Sequence, residues 1–432
     1  MRVAASCLIS LFSVLIPLLS VRAQDTLRLT KAACEAKFLS ENLLLLAEKL
    51  EIPKAEALVQ QARLWPNPQF TLDQVNLWAT RSQTGGNEVV PPLFGNFGKN
   101  RQFGAEIEQL ILTARKRGKL IAVEQVKVDQ SLAYFEELLR NLKLELRKDL
   151  IELQHLQLRE TTYQKQLEAV RQLLAAYQRQ VQEGHIPRSE YVRLKSLELE
   201  ILKGMNDLEQ QKNESQSAIR QWANIPADRF LIVSEDGFRI PTAALPKVNF
   251  PEVMEEAKQN RPDLRASLLD HTLALKQMDY EKARRTPDLT IKGTYDRNGN
   301  AMLNFFGLGA SIDLPVFDRN QGNIRRAGIV AEQAQKVSDY QTRKVENEVS
   351  LAYRNLLSAY HIASRIEEGY EGALDNMLGA YTKNFSNRNL SMLEFLDFMN
   401  AYLDNKQTIL ETYKSVNERL QELNYAVGRD LL

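Results

Sequence analysis

The stretch from Tyr177 to Tyr191, YQRQVQEGHIPRSEY, returns at 381–395 as YTKNFSNRNLSMLEF, 204 positions later. That offset matches Tyr177 with Tyr381, Glu190 with Glu394 and Tyr191 with Phe395, and each copy interrupts a long helical pattern with a short polar turn. A second pair lies nearer the start of each half: ARLWP at 62–66 and ARRTP at 283–287 both close an apolar helical pattern and precede strand-like alternation. The chain therefore reads as an internal tandem duplication of one helix, strand, strand, helix, turn, helix unit. Its period is far above the roughly 20 to 50 residues of solenoid repeats. The predicted organisation is a first repeat over 24–224, an irregular linker over 225–250 and a second repeat over 251–432.

The helical patterns are long. Leu132, Leu139, Leu146, Leu153, Leu167 and Leu174 fall on a seven-residue grid, with Phe135, Leu142, Leu156, Tyr163, Val170 and Tyr177 on a second one, flawed at Asp149 and Glu160. Such a seam is what antiparallel coiled-coil packing needs. The second half repeats it through Val349, Ala352, Leu356, Ala359, Ala363, Ile366, Tyr370, Ala373, Met377 and Ala380. One helix over 113–183 would span about 106 Å at 1.5 Å per residue, and helices over 187–223 and 251–286 about 55 Å each. Two short helices end to end thus match one long one. The other half gives a long helix over 320–386 and half-length ones over 390–427 and 29–64. Pro226, Pro241 and Pro246 mark the linker between them.

Four segments alternate with period two. Phe103, Ala105 and Ile107 face one way and Gly104, Glu106 and Glu108 the other; Leu289, Ile291 and Tyr295 oppose Thr290, Lys292 and Asp296. Phe306, Leu308, Ala310, Ile312 and Leu314 form a third apolar row, and the run from Gln69 to Trp78 slips register after Leu72. One apolar and one polar face over about ten residues suits a lipid-facing barrel, and equally a pair of hairpins on a soluble domain. Four strands cannot close a barrel, so the chain must oligomerise or cover its edges. Asn298-Gly299 supports a tight hairpin between the last two strands, and 81–100 reads as a long exposed loop.

Composition narrows the rest. Lys plus Arg (56) balances Asp plus Glu (55), so no basic field recommends nucleic acid. Four scattered His and two Cys offer no zinc-type cluster, and no nucleophile elbow, acid–base pair or phosphate loop marks an enzyme; neither metal nor cofactor is expected. Residues 1–23 read as a secretory signal: Arg2, an apolar run from Val3 to Leu19, and Val21-Arg22-Ala23 as the cleavage site. Cleavage would remove Cys7 and leave Cys34 without a disulfide partner.

Several further motifs complete a resemblance that covers nearly the whole mature chain. These are an opening LRLTKAA helix at 27–33, ARLWPNP at 62–68, RPDLRA at 261–266 and IDLPVFDRNQG at 312–322. In this order, and with the two turn motifs, the chain resembles the TolC-like outer-membrane efflux proteins. It departs from them at the second turn, where Arg388 stands in place of the glycine present as Gly184 in the first. The resemblance implies an α+β membrane protein: a homotrimer whose protomers each give four strands to one 12-stranded β-barrel, continued by a long periplasmic α-helical coiled-coil barrel. It implies an exit duct in the outer membrane for a tripartite efflux system, with a periplasmic adaptor and an inner-membrane pump of RND type as partners. The alternative within that reading is the duct of a type I protein secretion system. A periplasmic adaptor or coiled-coil scaffold accounts for the heptads but not for two hairpins with four long strands.

The same resemblance assigns sites. Gly184, His185, Ile186, Pro187, Arg188 and Ser189, with Asn387, Arg388, Asn389, Leu390 and Ser391, would form the tip that docks the adaptor, Ile186 and Leu390 being the apolar side chains a helix-breaking turn exposes. Glu394 and Asp397, spaced i, i+3 on one helix face, fall where the family carries the carboxylates of its periplasmic gate. The family's tip arginine would fall at Leu390, leaving Arg188 and Arg388 to take its place.

Overall fold

The computed structural model describes residues 26–76, 94, 102–239, 249–297 and 304–431. The secretory signal with Cys7, the end of the first predicted strand at Leu77 and Trp78, nearly all of the 81–100 loop, Pro241, Pro246 and the Asn298-Gly299 turn lie outside the described residues. The elements are β1 (Thr26–Leu29), α1 (Lys31–Glu41), α2 (Leu43–Lys49), α3 (Glu51–Arg63), β2 (Gln69–Asn76), β3 (Gln102–Ile111), α4 (Lys116–Gln182) and α5 (Arg188–Trp222). They continue with β4 (Phe230–Val233), α6 (Phe250–Asn260), α7 (Pro262–Arg284), β5 (Leu289–Arg297), β6 (Asn304–Ile312), α8 (Gln321–Ala363), α9 (Tyr370–Ser386) and α10 (Met392–Val427).

The four longer strands form one antiparallel sheet in the order β2-β3-β5-β6. Register puts Phe70, Ile107, Gly293 and Leu308 in one row across the sheet and Leu72, Ala105, Tyr295 and Phe306 in the next, all on the same face. Among the described residues nothing covers that face: Phe70, Phe306 and Leu308 are 68%, 79% and 93% exposed. The other face is polar, with Lys292 paired to both Glu106 and Glu108. The predicted slip in the first strand is a bulge between Asp73 and Asn76, where Gln74 takes a positive φ of 50°. Leu314, predicted as the end of the last apolar row, lies beyond β6, because Pro315 follows it and cannot donate to a ladder.

The helices extend the sheet in the same lateral order. α3 runs into β2, β3 into α4, α7 into β5 and β6 into α8. α4 packs on both α3 and α7, and α7 packs on α8. The layer α3-α4-α7-α8 therefore continues β2-β3-β5-β6, and α3 and α8 are its outer members. α4 is a single helix of 67 residues, about 100 Å long. Its seam is buried from Leu146 through Leu153, Leu156, Leu167, Leu174 and Tyr177, and the two flaws are partnered: Asp149 accepts from Trp222 Nε1 at 2.8 Å and Glu160 pairs with Lys212 at 2.7 Å.

Three predicted helices are subdivided. The 251–286 helix splits at Arg261, because Pro262 lacks the N–H that would continue α6 and instead opens α7 at its first position. The 29–64 helix is three pieces: Asn42 ends α1 and caps α2 by accepting from Leu45 N at 3.0 Å, and α3 restarts at Glu51 with Pro53 in its first turn. The long 320–386 helix breaks between Ala363 and Tyr370, with Gly369 at φ 81°. Beyond the break the seam changes phase: Leu374, Leu378 and Phe385 are buried, whereas Tyr370 and Met377, which continue the heptad, are 39% and 43% exposed.

The chain ends of the two halves meet beside this layer. Thr26–Leu29 is a strand, not the start of the opening helix, and it pairs in parallel with Phe230–Val233, so the 225–250 segment is not irregular throughout. The last residues are clamped: Asp430 accepts from Arg147 at 2.5 and 2.8 Å and from Lys143 at 2.9 Å. Hydrogen bonds from Arg147 above all, then Lys143, hold its carboxyl at about 2, against a burial that opposes them. A carboxyl depressed in the folded state contributes stability that is complete above its unfolded value of 3.8 and is lost as pH falls toward about 2. Circular-dichroism melts between neutral pH and about pH 2 should therefore show a steeper loss of stability in the wild type than in Asp430→Asn; parallel curves would remove this contribution.

Candidate functional site: the helical tip and the α9–α10 hairpin

The two repeated turns close at the same end of the molecule and with the same bonds. After α4, Glu183 N donates to Arg179 O (3.0 Å), Gly184 N to Val181 O (3.1 Å) and His185 N to Gln180 O (2.9 Å). After α9, Asn387 N donates to Lys383 O, Arg388 N to Phe385 O and Asn389 N to Asn384 O, at 3.0, 3.0 and 2.9 Å. Each pair stands 204 positions apart. Both turns use a left-handed residue, Gly184 at φ 76° and Arg388 at φ 63°, so the second copy keeps the glycine conformation with a side chain that usually avoids it. Arg388 reaches across the gap: its Nη2 donates to Gln180 Oε1 at 3.1 Å and to His185 O at 3.4 Å. This guanidinium ties the two turns together, whereas Arg188 stays exposed at the start of α5.

Ile186 and Leu390 are not free apolar side chains. Both are half-buried on the core under the tip, where Tyr177 stacks on Phe385 (5.3 Å between centroids), Phe385 on Phe395 (4.4 Å) and Tyr381 on Phe398 (3.9 Å). Stacked rings of this kind each add about 0.5–1.5 kcal/mol beyond their buried area, so the turns are anchored rather than loose. The exposed apolar side chains nearby are Val192 and Leu393, 52% and 73% exposed.

Glu394 and Asp397 lie on the first two turns of α10 and both are exposed. They differ in occupation. Glu394 Oε2 accepts from Ser391 N at 2.8 Å and Ser391 Oγ at 2.7 Å, while Glu394 N donates back to Ser391 Oγ at 3.3 Å: a capping box. The backbone bond from Ser391, then its hydroxyl, lowers the Glu394 carboxyl below its usual range. The spacing Ser391-x-x-Glu394 is itself the sequence signature of that box. Asp397 is the carboxylate left facing water.

Sequence reasoning passed over a buried charge network at the α8–α9 break. Lys406 Nζ, on α10 with 4% of its side chain exposed, sits 3.0 Å from Asp375 and 3.1 Å from Glu371, both on α9. Tyr402 donates to Asp375 at 2.9 Å, Lys165 of α4 pairs with it at 2.8 Å, and Arg239 pairs with Glu371 at 2.9 Å. Burial alone would raise the Glu371 and Asp375 carboxyls, but the hydrogen bonds from Arg239 and from Lys165 and Lys406 outweigh it and lower both. The signal was present in the sequence: a lysine on a seam otherwise made by Tyr402, Ile409 and Val416 requires a buried partner.

Residues 253–429 match the family described as outer membrane efflux protein. That stretch is about two fifths of the chain, and over it the chain is similar to that family. Over 118 residues it is 39% identical to the cobalt-zinc-cadmium resistance protein CzcC of Cupriavidus metallidurans, an alignment covering 27% of this chain and 26% of that protein, so the chain matches about a quarter of that relative's length. Among solved structures, a structure of CusC superposes with a TM-score of 0.72 over 93% of this chain and 92% of the other, at 15% identity. The outer-membrane channel OprN gives 0.72 over 92% and 89%, at 15% identity. The outer membrane protein VceC of Vibrio cholerae gives 0.68 over 93% and 97%, at 12%. At these identities the likeness is one of fold, and the fold is that of outer-membrane channels. No helix among the described residues is long and apolar enough to cross a membrane.

Proposed function

We propose that three copies of this chain form an outer-membrane exit duct. The observation that carries the reading is the sheet: among the described residues one face is apolar and exposed, the other polar, and β2 and β6 are its edge strands. In lipid each unpaired backbone group costs several kcal/mol, so only closure is stable. Three four-stranded sheets joined edge to edge give twelve strands, and the helix layer beneath would close with them into a periplasmic barrel. The equal bonding of the two turns supports descent of the two halves from one duplicated unit. The likeness to a cobalt-zinc-cadmium resistance protein favours a metal cation as cargo, with a periplasmic adaptor and an inner-membrane pump completing the route. The tip from Gly184 to Ser189 and Asn387 to Ser391 would dock the adaptor through Val192 and Leu393 beside the turns, since Ile186 and Leu390 are committed to the core.

For the gate, Asp397 is the stronger candidate of the two carboxylates, because Glu394 already caps α10. A ring of three such carboxylates in a narrow aqueous passage attracts cations. The test is conductance of the purified trimer in planar bilayers. Asp397→Asn should lower cation selectivity, and Glu394→Gln should act mainly through the helix start, as lost stability. Unchanged selectivity in Asp397→Asn would remove this residue from the conduit, and a monomeric mass in mild detergent with the β signal intact would overturn the duct.

A further inference from the structure

The four strand-to-helix junctions lie along one edge of the sheet. Register sets Ile111, Leu289 and Ile312 in its last row, and Gln69 opens β2 opposite Glu108. β3 has 10 residues, about 33 Å at roughly 3.3 Å per residue and about 25 Å in height once tilted by about 40°, which is the depth of a barrel's apolar band. With the sheet in lipid, that edge sits at the headgroups. Charge there is unlike that of the chain as a whole. Over 60–68, 112–120, 281–288 and 313–326 there are eleven Lys and Arg against four Asp and Glu, an excess of +7 in a chain whose total is +1.

Most carboxylates of this band are already taken. Asp288 holds Lys116 at 2.8 Å and accepts from Thr113 N at 2.8 Å. Buried Glu281 takes Arg284 at 3.2 Å and Asn320 Nδ2 at 2.7 Å, and Asp318 accepts from Asn320 N at 2.8 Å. No described carboxylate is within ion-pair distance of Arg63, Arg115, Arg285, Arg319, Arg325 or Arg326, all of which are exposed. Like charges at this density repel unless an anion lies among them. Amphipathic and apolar rings are interleaved with them: Trp65 is 60% exposed beneath the Arg117 guanidinium, 3.8 Å from its ring, and Phe317 is 91% exposed. We infer that this band binds the phosphate-bearing headgroups of anionic phospholipids in the periplasmic leaflet. The inference rests on the duct reading above and adds a lipid class to it. Arginine suits the role, because its planar fork donates two parallel bonds to phosphate. A zwitterionic headgroup carries its own ammonium and leaves the excess unbalanced, whereas a net negative one offsets it.

The experiment is thermal dissociation of the full-chain trimer in mild detergent micelles doped with phosphatidylglycerol or with the same mole fraction of phosphatidylcholine. Phosphatidylglycerol should raise the midpoint by several degrees and phosphatidylcholine should not, since a ligand held only by the folded assembly stabilises it. High salt should shrink that rise. Arg285→Gln combined with Arg319→Gln and Arg326→Gln should lose most of it. The same charge change made by Arg193→Gln, Arg343→Gln and Arg354→Gln, at exposed arginines on α5 and farther down α8, should keep it. Equal rises with both lipids, an undiminished rise in the band variant, or the same rise from inorganic phosphate alone overturns this site and leaves the duct reading standing. A monomeric wild type overturns both.

Discussion

Arg261→Ala is expected to destabilise the fold by about 3–5 kcal/mol, the cost of removing one partner from a buried ion pair. Arg261 is 2% exposed and its guanidinium is fully engaged. Nε and Nη2 bind Asp263 at 2.9 and 2.5 Å, Nη2 also binds Glu348 at 2.6 Å, and Nη1 donates to Ala426 O at 3.2 Å. Asp263 in turn takes Arg140 of α4 at 3.3 Å and Gln341 of α8 at 2.8 Å. One side chain at the α6–α7 break thus joins α4, α7, α8 and α10. Burial works against the charged form, but the bonds to Asp263 and Glu348 raise the guanidinium further above its usual range. Truncation would strand Asp263 without its bidentate partner. Arg261→Lys should recover only part of the loss, because an ammonium cannot span both carboxylate oxygens. Thermal melts of the three proteins in one detergent provide the measurement; equal midpoints for Arg261→Ala and wild type would show that the network carries no net stability.

Leu308→Arg should block stable insertion into the outer membrane. Leu308 sits in the middle of β6, 93% exposed, level with Gly293 and Ile107 and flanked by Phe306. An arginine on the lipid face near the bilayer midplane costs about 2–4 kcal/mol per chain, and closure of three chains would impose that cost three times. Ser311→Arg, on the polar face of the same strand, is the control: it should insert normally and change conductance instead. Fractionation and heat-modifiable migration of both variants distinguish the faces. Equal insertion of the two would sink the assignment of lipid and lumen sides.

Much of this was written locally. The period-two rows of the strands, the heptad of α4, Gly184 and the prolines near the breaks depend on interactions within a few residues, and sequence alone placed the four strands and the 67-residue helix to within a few positions. Ser391 and Glu394 also spell out their capping box, which occupies the glutamate that the family resemblance places at the gate. Tertiary structure decided what depends on distant partners. β1 and β4 are four residues each, too short to show alternation, and acquire their identity only by pairing across some 200 residues of chain. The break at Ser364–Gly369 overrides a heptad that runs on in the sequence, because Lys406, Arg239 and Lys165 hold Glu371 and Asp375 where a continuous helix would not present them. The phase shift of the α9 seam follows from that break. The burial of Arg261 likewise required α4, α8 and α10 to converge on it. Sequence by itself determined the elements and their amphipathic faces, since backbone sterics and side-chain period are local. Only the tertiary structure decided which faces were used up inside the chain and which, on the sheet above all, stayed exposed, because burial is a property of the packed whole.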